Sequence, residues 1–398
     1  VHDGQPQWLF CNGEVSAMPL EAYPIREALR RAARNSQTTP ASRKGGKPAK
    51  TLDLSCNPSF RIRKGATIFT VGSCFARHVE NALGEFGFAL PALTLPAEAL
   101  GLVGKDTGAL NKYTPFSIAN EIRWAFGDFS DKPIESALIP HGGKFWDGQL
   151  HVRMNELVDY ETALKRRLAV NGAYKSITTA DVAIITFGLV ESWRDTNSGL
   201  FLNEIPPRTL MRDERFELVL FSFEECLKEG RYILNKFFEV NPSINVILTV
   251  SPVSLGATFS TDPIIVRNCY SKSVLRAVVE HLRHEFPRID YYPSYERIIY
   301  ADRQTAFDND EVHVTTDIVN HTVVSMLEQY LAADVADFAE GAARLWWKAL
   351  FEGNAETALA LYRAHPRKIT KRMKKFPGLK ADFDRLVGPD AYEMDPVD

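Results

Sequence analysis

The sequence predicts an α/β protein whose mostly parallel sheet is covered by helices on both faces. Short runs rich in β-branched residues alternate along the chain with longer stretches of helical periodicity. Each run is too short for a typical helix and is bounded by Gly, Pro, Asn or Ser, as buried parallel strands tend to be. Strands that alternate with helices favour a parallel sheet between two helical layers.

The predicted elements follow one another in a strand-then-helix rhythm. Strands are predicted at 66–71, 181–187, 244–250 and 288–294, and helices at 75–86, 117–126, 223–238 and 266–286. From about His321 onward the pattern is helical, including 341–365. We therefore divide the chain into an N-terminal segment (1–55), an α/β domain (56–330) and a C-terminal helical extension packed on it (331–398).

Composition and charge exclude some classes of partner. The formal net charge of −3 gives no overall attraction to nucleic acid or to an anionic membrane. No apolar run approaches the roughly 18 residues of a membrane-spanning helix, and no signal-peptide pattern is evident. We expect no nucleic-acid partner and no membrane span.

The cysteines indicate a reducing compartment. Five cysteines are scattered along the chain without a CxxC motif or a Cys/His cluster. This usage fits reduced thiols in a cytoplasmic protein better than a disulfide framework or a zinc site. We expect a cytoplasmic protein with no metal.

Two basic stretches lie outside the predicted sheet. Residues 31–50 are polar, basic and free of acidic residues, which is typical of a flexible linker. Residues 365–380 are also basic and predict a solvated helix, with a patch for anionic glycans or phospholipid head groups as the alternative.

The end of the first predicted strand carries a candidate nucleophile. Gly72 allows a sharp turn, Ser73 follows it, and a helix begins at once, so free backbone N–H groups and the positive end of the helix dipole point at the turn. A serine hydroxyl held there can attack an acyl carbon, and the Ser73 N–H can stabilise the oxyanion. The alternative is that Ser73 merely caps the helix.

A base and its orienting group are found far downstream. Asp310 and His313 stand in a D-x-x-H arrangement, in which the carboxylate can reach Nδ1 and leave Nε2 to face the nucleophile. Asp308 is a nearby competitor. Cys74 is the rival nucleophile, because a thiol at a helix N-terminus can have a depressed pKa.

The stretch Gly72-Ser73-Cys74-Phe75-Ala76 resembles the signature of the GSCFA family, a bacterial group similar to the SGNH (GDSL-like) hydrolases. Four further segments resemble family blocks in the right order: "ALNKYTPFSIANEI" (109–122), "FGLVESWRD" (187–195), "LTVSPVSLGATF" (248–259) and "FDNDEVH" (307–313). The resemblance covers roughly residues 60–330 and implies a three-layer α/β/α fold of the SGNH-like, flavodoxin-like kind.

The resemblance also implies roles for residues. In the SGNH superfamily the serine of the first block is the nucleophile and the last block supplies Asp and His, which match Ser73, Asp310 and His313 here. The G-x-N-D of the third block is absent, and an ionised Glu191 in its place cannot donate a hydrogen bond. Asn111 and Gly188 are the alternative contributors to the oxyanion hole beside Ser73.

The same block suggests substrate contacts. Glu191, Trp193 and Arg194 are candidate substrate-binding residues, because aromatic rings stack on sugar faces and arginine binds carboxylates. A packed Trp193 with a surface Arg194 is the alternative.

Together these features predict an SGNH-type serine esterase or acyl-transfer enzyme acting on O-acyl, in particular O-acetyl, groups of a carbohydrate or another small molecule. A polysaccharide O-acetyltransferase would use the same triad, with an acyl donor such as acetyl-CoA as a second substrate. A catalytically inactive glycan-binding or assembly module and a cysteine enzyme using Cys74 are the other hypotheses. We expect no cofactor.

Overall fold

A computed structural model describes residues 20–35, 51–52, 54–63, 65–85, 88–95, 100, 110–151, 156–210, 214–331, 345–346, 349–350, 353–375 and 377–392. In chain order the strands of these residues are β1 (Ile68–Gly72), β2 (Leu138–His141), β3 (Lys144–Asp147), β4 (Val182–Phe187), β5 (Glu191–Asp195), β6 (Phe216–Leu220), β7 (Asn245–Val250) and β8 (Ile289–Tyr291). Strands β1, β4, β7 and β8 form, in that order, one parallel sheet. The predicted parallel sheet is confirmed.

The helices alternate with these strands. In chain order they are α1 (Ile25–Asn35), α2 (Cys74–Glu85), α3 (Pro115–Phe126), α4 (Tyr160–Ala173), α5 (Phe223–Val240), α6 (Ile264–Glu285), α7 (Ser294–Ile299), α8 (Arg303–Ala306), α9 (Thr316–Tyr330), α10 (Ala355–Ala364), α11 (Pro366–Lys375) and α12 (Pro377–Val387). Capping boxes at Thr114 and Ser222 define the starts of α3 and α5, since each side chain accepts a hydrogen bond from the third helical N–H.

The sheet lies between two helical layers, as predicted. Alternate side chains of each strand point to opposite faces. Val71, Ile185 and Leu248 pack in one core with α3, α4, α5 and α6, whereas Ile184 and Ile247 pack in a second core with α2, α7, α8 and α9. The result is a three-layer α/β/α arrangement in which both faces of the sheet are buried.

Two short segments pair with the outer edge of β1. Ala89 forms a parallel bridge with Thr67 near the start of the strand, and Asn111 forms one with Gly72 at its end. The Ile68 N–H donates to the Ala89 carbonyl at 2.8 Å. Ala89 thus flanks the first strand on the side away from β4, as the second strand does in flavodoxin-like sheets.

Two antiparallel hairpins extend the domain beyond the parallel sheet. Strands β2 and β3 pair through a Gly142-Gly143 turn, in which both glycines have a positive φ, and β5 pairs with β6. A cluster of Ile139, Trp146, Leu202 and Leu210 joins the hairpins. Neither hairpin is among the predicted elements.

The C-terminal extension is helical where the structure describes it. Helices α10, α11 and α12 enclose a separate small core that includes Trp346, Ile369, Met373 and Phe383. The basic α11 buries Ile369 and Met373, so it is an amphipathic helix rather than one solvated on all sides.

The predicted basic linker at 31–50 begins inside a helix. Residues 31–35 belong to α1, where Arg31 pairs with Glu27 one helical turn earlier at 2.7 Å. Such pairs at i, i+4 stabilise helices, which explains why the linker prediction is wrong for these residues. The remainder of the stretch, 36–50, lies outside the described residues. Of the helices that the structure describes, none combines the length and apolar character needed to cross a bilayer.

Candidate active site at the carboxyl edge of the sheet

A sharp turn joins β1 to α2 and carries Ser73. Gly72 ends β1 with a φ of +146°, and a Cβ at this position would lie 2.2 Å from the carbonyl oxygen of Thr186 on β4. Only glycine fits there without displacing the strand. Since α2 begins at Cys74, Ser73 stands at the helix N-terminus, where the helix dipole favours negative charge.

The Ser73 hydroxyl is buried and without a hydrogen-bond partner among the described residues. The residue is 3% exposed, and its Oγ makes no hydrogen bond. The side chain therefore does not cap α2, which removes the alternative role considered from the sequence. Its N–H makes a long hydrogen bond of 3.4 Å to the Thr186 carbonyl. The hydroxyls of Thr186 and Thr249 are also buried without a partner among the described residues, so what distinguishes Ser73 is its position at the N-terminus of α2.

Asn111 lies beside the turn. It is the bridge partner of Gly72, and the N–H of the next residue, Lys112, donates to the Gly72 carbonyl at 2.7 Å. Asn111 is 3% exposed, and its Oδ1 is buried without a partner in the described part of the chain. The first block and the Asn-x-Tyr-Thr block are thus brought together, and each contributes a buried polar group with unused hydrogen-bonding capacity.

Gly188 approaches Ser73 from the other side. A Cβ on Gly188 would lie 2.8 Å from the Tyr113 carbonyl oxygen and 3.2 Å from the Ser73 Cβ. The N–H groups of Gly188 and Leu189 both donate to Tyr113 O, at 3.1 and 2.7 Å. In this geometry Gly188 allows close approach of two chain segments, and its N–H is already engaged rather than open to an oxyanion.

Asp310 and His313 form a pair on the loop between α8 and α9. Nδ1 of His313 lies 2.5 Å from Oδ2 of Asp310, while Oδ1 accepts hydrogen bonds from the N–H groups of Val312 and His313, both at 2.9 Å. The hydrogen bond with His313, followed by the two backbone N–H groups, lowers the pKa of Asp310 to about 2. The ionised carboxylate holds the imidazole so that Nε2 is the free ring nitrogen.

The structure does not join His313 to Ser73. The His313 side chain is 59% exposed, and Ser73 Oγ makes no hydrogen bond. The loop is nevertheless tied to the carboxyl edge of the sheet, because the N–H of Ser254, which follows β7, donates to the Val312 carbonyl at 3.3 Å. The candidate nucleophile Ser73 and the candidate base His313 with its carboxylate partner Asp310 are thus separate groups, with no hydrogen bond between them.

The three candidate substrate residues are on β5 and have partners of their own. Glu191 accepts hydrogen bonds from the Thr258 hydroxyl at 2.7 Å and from the Phe259 N–H at 3.0 Å. Trp193 is half-buried and packs edge to face on Phe259, whose side chain is exposed, with ring centroids 5.3 Å apart. Arg194 forms an exposed ion pair with Glu217 on β6. None of these contacts reaches Ser73.

A buried lysine near the site was not foreseen. Lys272 on α6 is 1% exposed, and its Nζ donates to the Gly188 carbonyl at 2.8 Å. Burial lowers the pKa of Lys272 to about 7, against a smaller opposing effect of Cys74. The signal in the sequence was the helical spacing of Lys272 with Leu275 and Val279, both fully buried, which places a lysine on the apolar face.

A buried ionic network supports the segment that carries Asn111. Lys112 pairs with Glu121 at 2.6 Å, and Arg167 bridges Glu121 at 2.5 Å and Asp147 at 3.2 Å. Burial alone would raise the pKa of Glu121, but the neighbouring Arg167 and Lys112 lower it, so it stays ionised. The charges tie the segment after Asn111 to α3, α4 and β3.

The described residues also bring together one group of possible metal ligands, Glu21, Glu280 and His284. They lie on the surface near the C-terminal end of α6, whereas the candidate site follows the carboxyl ends of the strands. Parallel strands place their chemistry at the latter edge. Nothing in this cluster connects it to Ser73.

The fold and this arrangement of residues define a three-layer α/β protein with a candidate nucleophile at the first strand end. The family model described as the GSCFA family matches residues 67–325, which is more than half of the chain. The chain therefore belongs to the GSCFA family. Comparison with curated proteins finds no match.

Proposed function

We propose that this GSCFA-family protein is a serine enzyme of the SGNH type that acts on O-acyl groups, in particular O-acetyl groups, of a carbohydrate. The observation that carries the proposal is the buried Ser73 hydroxyl at the N-terminus of α2, which has no hydrogen-bond partner among the described residues. An acyl carbonyl placed there would meet a nucleophile and the positive end of a helix dipole.

In the proposed reaction Ser73 Oγ attacks the acyl carbon while Nε2 of His313 accepts its proton. Asp310 keeps the imidazole in the required tautomer and stabilises the imidazolium that forms. The Ser73 N–H exchanges its long bond to the Thr186 carbonyl for one to the oxyanion, and the Asn111 side-chain amide donates the second. His313 and Ser73 have to form a hydrogen bond for this step, and catalytic hydrogen bonds often tighten only when substrate binds.

The acceptor decides between two outcomes of the same chemistry. The tetrahedral intermediate collapses when the bond from the acyl carbon to the leaving group breaks, and His313 gives its proton to that group, the sugar alcohol of an ester or the thiol of a thioester donor. In deacylation His313 then takes a proton from water, which gives an esterase, or from a sugar hydroxyl, which gives an O-acetyltransferase. A transferase would take its acyl group from a donor such as acetyl-CoA, which is a substrate. Neither outcome requires a metal or an organic cofactor in the reaction.

Carbohydrate is the substrate class that we favour. The exposed Phe259 ring and the half-buried Trp193 ring offer an aromatic surface, and aromatic rings stack on the apolar faces of sugars. The neighbouring Arg194 is held by Glu217, and an acidic sugar could replace that partner. We further propose a cytoplasmic location, because the cysteines that the structure describes, Cys56, Cys74, Cys226 and Cys269, form no disulfide.

A second function has a specific observation in its favour. His313 is exposed and makes no hydrogen bond to Ser73, so the same fold could serve as a glycan-binding module without catalysis. The two functions differ in whether Ser73 is chemically activated. A fluorophosphonate probe labels only an activated serine.

Labelling of the folded wild-type protein, its loss in Ser73→Ala and a strong decrease in His313→Ala would support the enzyme. A folded wild-type protein that takes up no probe and turns over no acetylated sugar would refute it in favour of the binding module. Activity that survives Ser73→Ala but is lost on alkylation of Cys74 would instead identify a cysteine enzyme. Comparison of acetate release into water with transfer to a free glycan, on one preparation, separates esterase from transferase.

A further inference from the structure

We infer that Asn203 is a positioning residue that holds Asn111 in place for the reaction. The inference rests on the proposed function, in which the Asn111 amide stabilises the oxyanion. Asn203 belongs to none of the sequence blocks that suggested the site, and it lies 92 residues further along the chain than Asn111.

One side-chain amide bonds the backbone on both sides of Lys112. Nδ2 of Asn203 donates to the Asn111 carbonyl at 2.8 Å, and its Oδ1 accepts from the Tyr113 N–H at 3.0 Å. The side chain thus makes the two hydrogen bonds that a neighbouring strand would make. It is 6% exposed, so water does not readily take its place.

The same short segment is bonded to the site at several points. The Lys112 N–H donates to the carbonyl of Gly72, and the Tyr113 carbonyl accepts from the N–H groups of Gly188 and Leu189. These bonds link the segment to the residue before Ser73 and to the residues that follow β4. The Asn203 amide adds two further hydrogen bonds, which fix the peptide groups on either side of Lys112.

Asn203 is itself firmly held. Its N–H donates to the Gly148 carbonyl at 2.9 Å, just after β3. The preceding Leu202 is bonded to β5, since its N–H donates to the Trp193 carbonyl and its carbonyl accepts from the Ser192 hydroxyl, both at 2.7 Å. Asn203 therefore connects Asn111 by hydrogen bonds to both antiparallel strand pairs.

Only an amide of this length satisfies both bonds. Aspartate keeps an acceptor for the Tyr113 N–H but has no donor for the Asn111 carbonyl, and it places a negative charge against that oxygen. Leucine has a similar shape and removes both bonds, which leaves buried backbone groups unpaired. The substitutions thus separate the loss of one contact from the loss of both.

The test uses the full chain and an acetylated-sugar substrate. We expect Asn203→Asp to lower kcat about 10- to 100-fold with little change in KM, because a misplaced oxyanion donor affects the transition state more than the bound substrate. Asn241→Asp is the matched control. Asn241 is a buried asparagine whose amide donates to the Ile177 and Ala180 carbonyls and accepts from the Ser243 N–H, but it lies before β7, at the opposite edge of the sheet. The Asn241→Asp substitution should lower the melting temperature of the protein and leave kcat unchanged.

A double-mutant cycle with Asn111→Ala distinguishes positioning from general destabilisation. If Asn203 acts through Asn111, adding Asn203→Asp to Asn111→Ala should reduce kcat by no more than about twofold. If the two losses multiply, or if Asn203→Asp alone leaves kcat unchanged in an active protein, the inference is wrong. Should Asn203→Asp fail to fold, Asn203→Ser is measured in the same cycle. A wild-type protein without activity or probe labelling would refute the proposed function itself, which is a different result.

Discussion

The side chains of Asp310 and His313 are hydrogen-bonded to each other at 2.5 Å, three residues apart on one loop. The Asp310 carboxylate also accepts hydrogen bonds from two backbone N–H groups of that loop, so its position is fixed in the absence of substrate. With a pKa of about 2, Asp310 remains ionised in mildly acidic solution. The base of the proposed reaction is therefore oriented in advance, although it makes no hydrogen bond to Ser73 Oγ in this structure.

We predict that Asp310→Asn lowers kcat about 10³- to 10⁴-fold, because an amide can hold the wrong imidazole tautomer. Asp308→Asn is the matched control, since Asp308 is on the same loop and its N–H, not its carboxylate, bonds to the His313 carbonyl. The measurement is steady-state hydrolysis of an acetyl ester together with the rate of fluorophosphonate labelling. Equal rates for the two variants would contradict the role of Asp310.

Gly188→Ala tests the close approach of the strand ends. The added methyl group would lie 2.8 Å from Tyr113 O and 3.2 Å from the Ser73 Cβ, so one of these neighbours must move. We expect a loss of about 1–3 kcal/mol in the free energy of unfolding, as for other overpacked sites, and a marked loss of probe labelling. Gly256→Ala places its Cβ in open space and should change neither the free energy of unfolding nor the probe labelling. Normal labelling of Gly188→Ala would show that the close approach of Gly188 to Ser73 is not needed for the reactivity of Ser73.

Lys272→Met should change how stability depends on pH. Because burial lowers the pKa of Lys272 to about 7, the unfolded chain binds more protons than the folded chain between this pH and 10.5, the ordinary pKa of a lysine side chain. In that interval the free energy of unfolding therefore rises with pH, by up to about 1.4 kcal/mol per pH unit from this one group. Denaturant unfolding at a series of pH values measures the slope.

The expected result is a smaller slope for Lys272→Met than for the wild type between about pH 7 and pH 10. The variant loses the hydrogen bond to the Gly188 carbonyl at every pH, so a constant offset between the two curves is also expected. Parallel curves would mean that Lys272 remains charged in the folded protein.

Glu121→Leu should destabilise the fold strongly. Glu121 lies between Lys112 and Arg167, and all three side chains are fully buried. Removal of the carboxylate leaves two buried cations facing the weaker partner Asp147, which costs about 3–5 kcal/mol for a broken buried ion pair. Glu217→Leu breaks the exposed pair with Arg194 and should cost at most about 1 kcal/mol. Similar losses for both variants, measured by denaturant unfolding, would contradict the network's role.

The parallel sheet could be predicted because its strands are short, apolar and separated by helices. The strand predicted at 66–71 is Ile68–Gly72, and the one predicted at 244–250 is Asn245–Val250. The antiparallel strand pairs were not predicted because their strands are short and contain both polar and apolar residues, although Gly142-Gly143 is a recognisable turn. Helix α4 was hidden because Arg166 and Arg167 are buried in it, which obscures the usual apolar face.

The candidate site was predictable only where the chemistry lies in local motifs. Gly72-Ser73 and the D-x-x-H spacing depend on neighbours in the sequence, and the structure joins Asp310 to His313 as expected. Asn203 and Lys272 depend on contacts to Asn111 and Gly188, which are 92 and 84 residues away. Such contacts arise from the packing of separate elements, so no local pattern indicates them. The helical spacing of Lys272 with Leu275 and Val279 indicates only that the lysine lies on the apolar face, not which group it contacts. The distance between His313 and Ser73 likewise depends on how a loop docks on the sheet.

The margins of the central sheet have a consequence for the behaviour of the protein in concentrated solution. On one side Ala89 and Asn111 already occupy both ends of the outermost long strand, and on the other the last strand is three residues long. Amyloid-type growth needs a long row of unsatisfied peptide groups onto which a foreign strand can add. The native protein offers no such row at either margin of this sheet within its described residues, so we expect β1, the strand that ends beside Ser73, to resist the addition of a foreign strand.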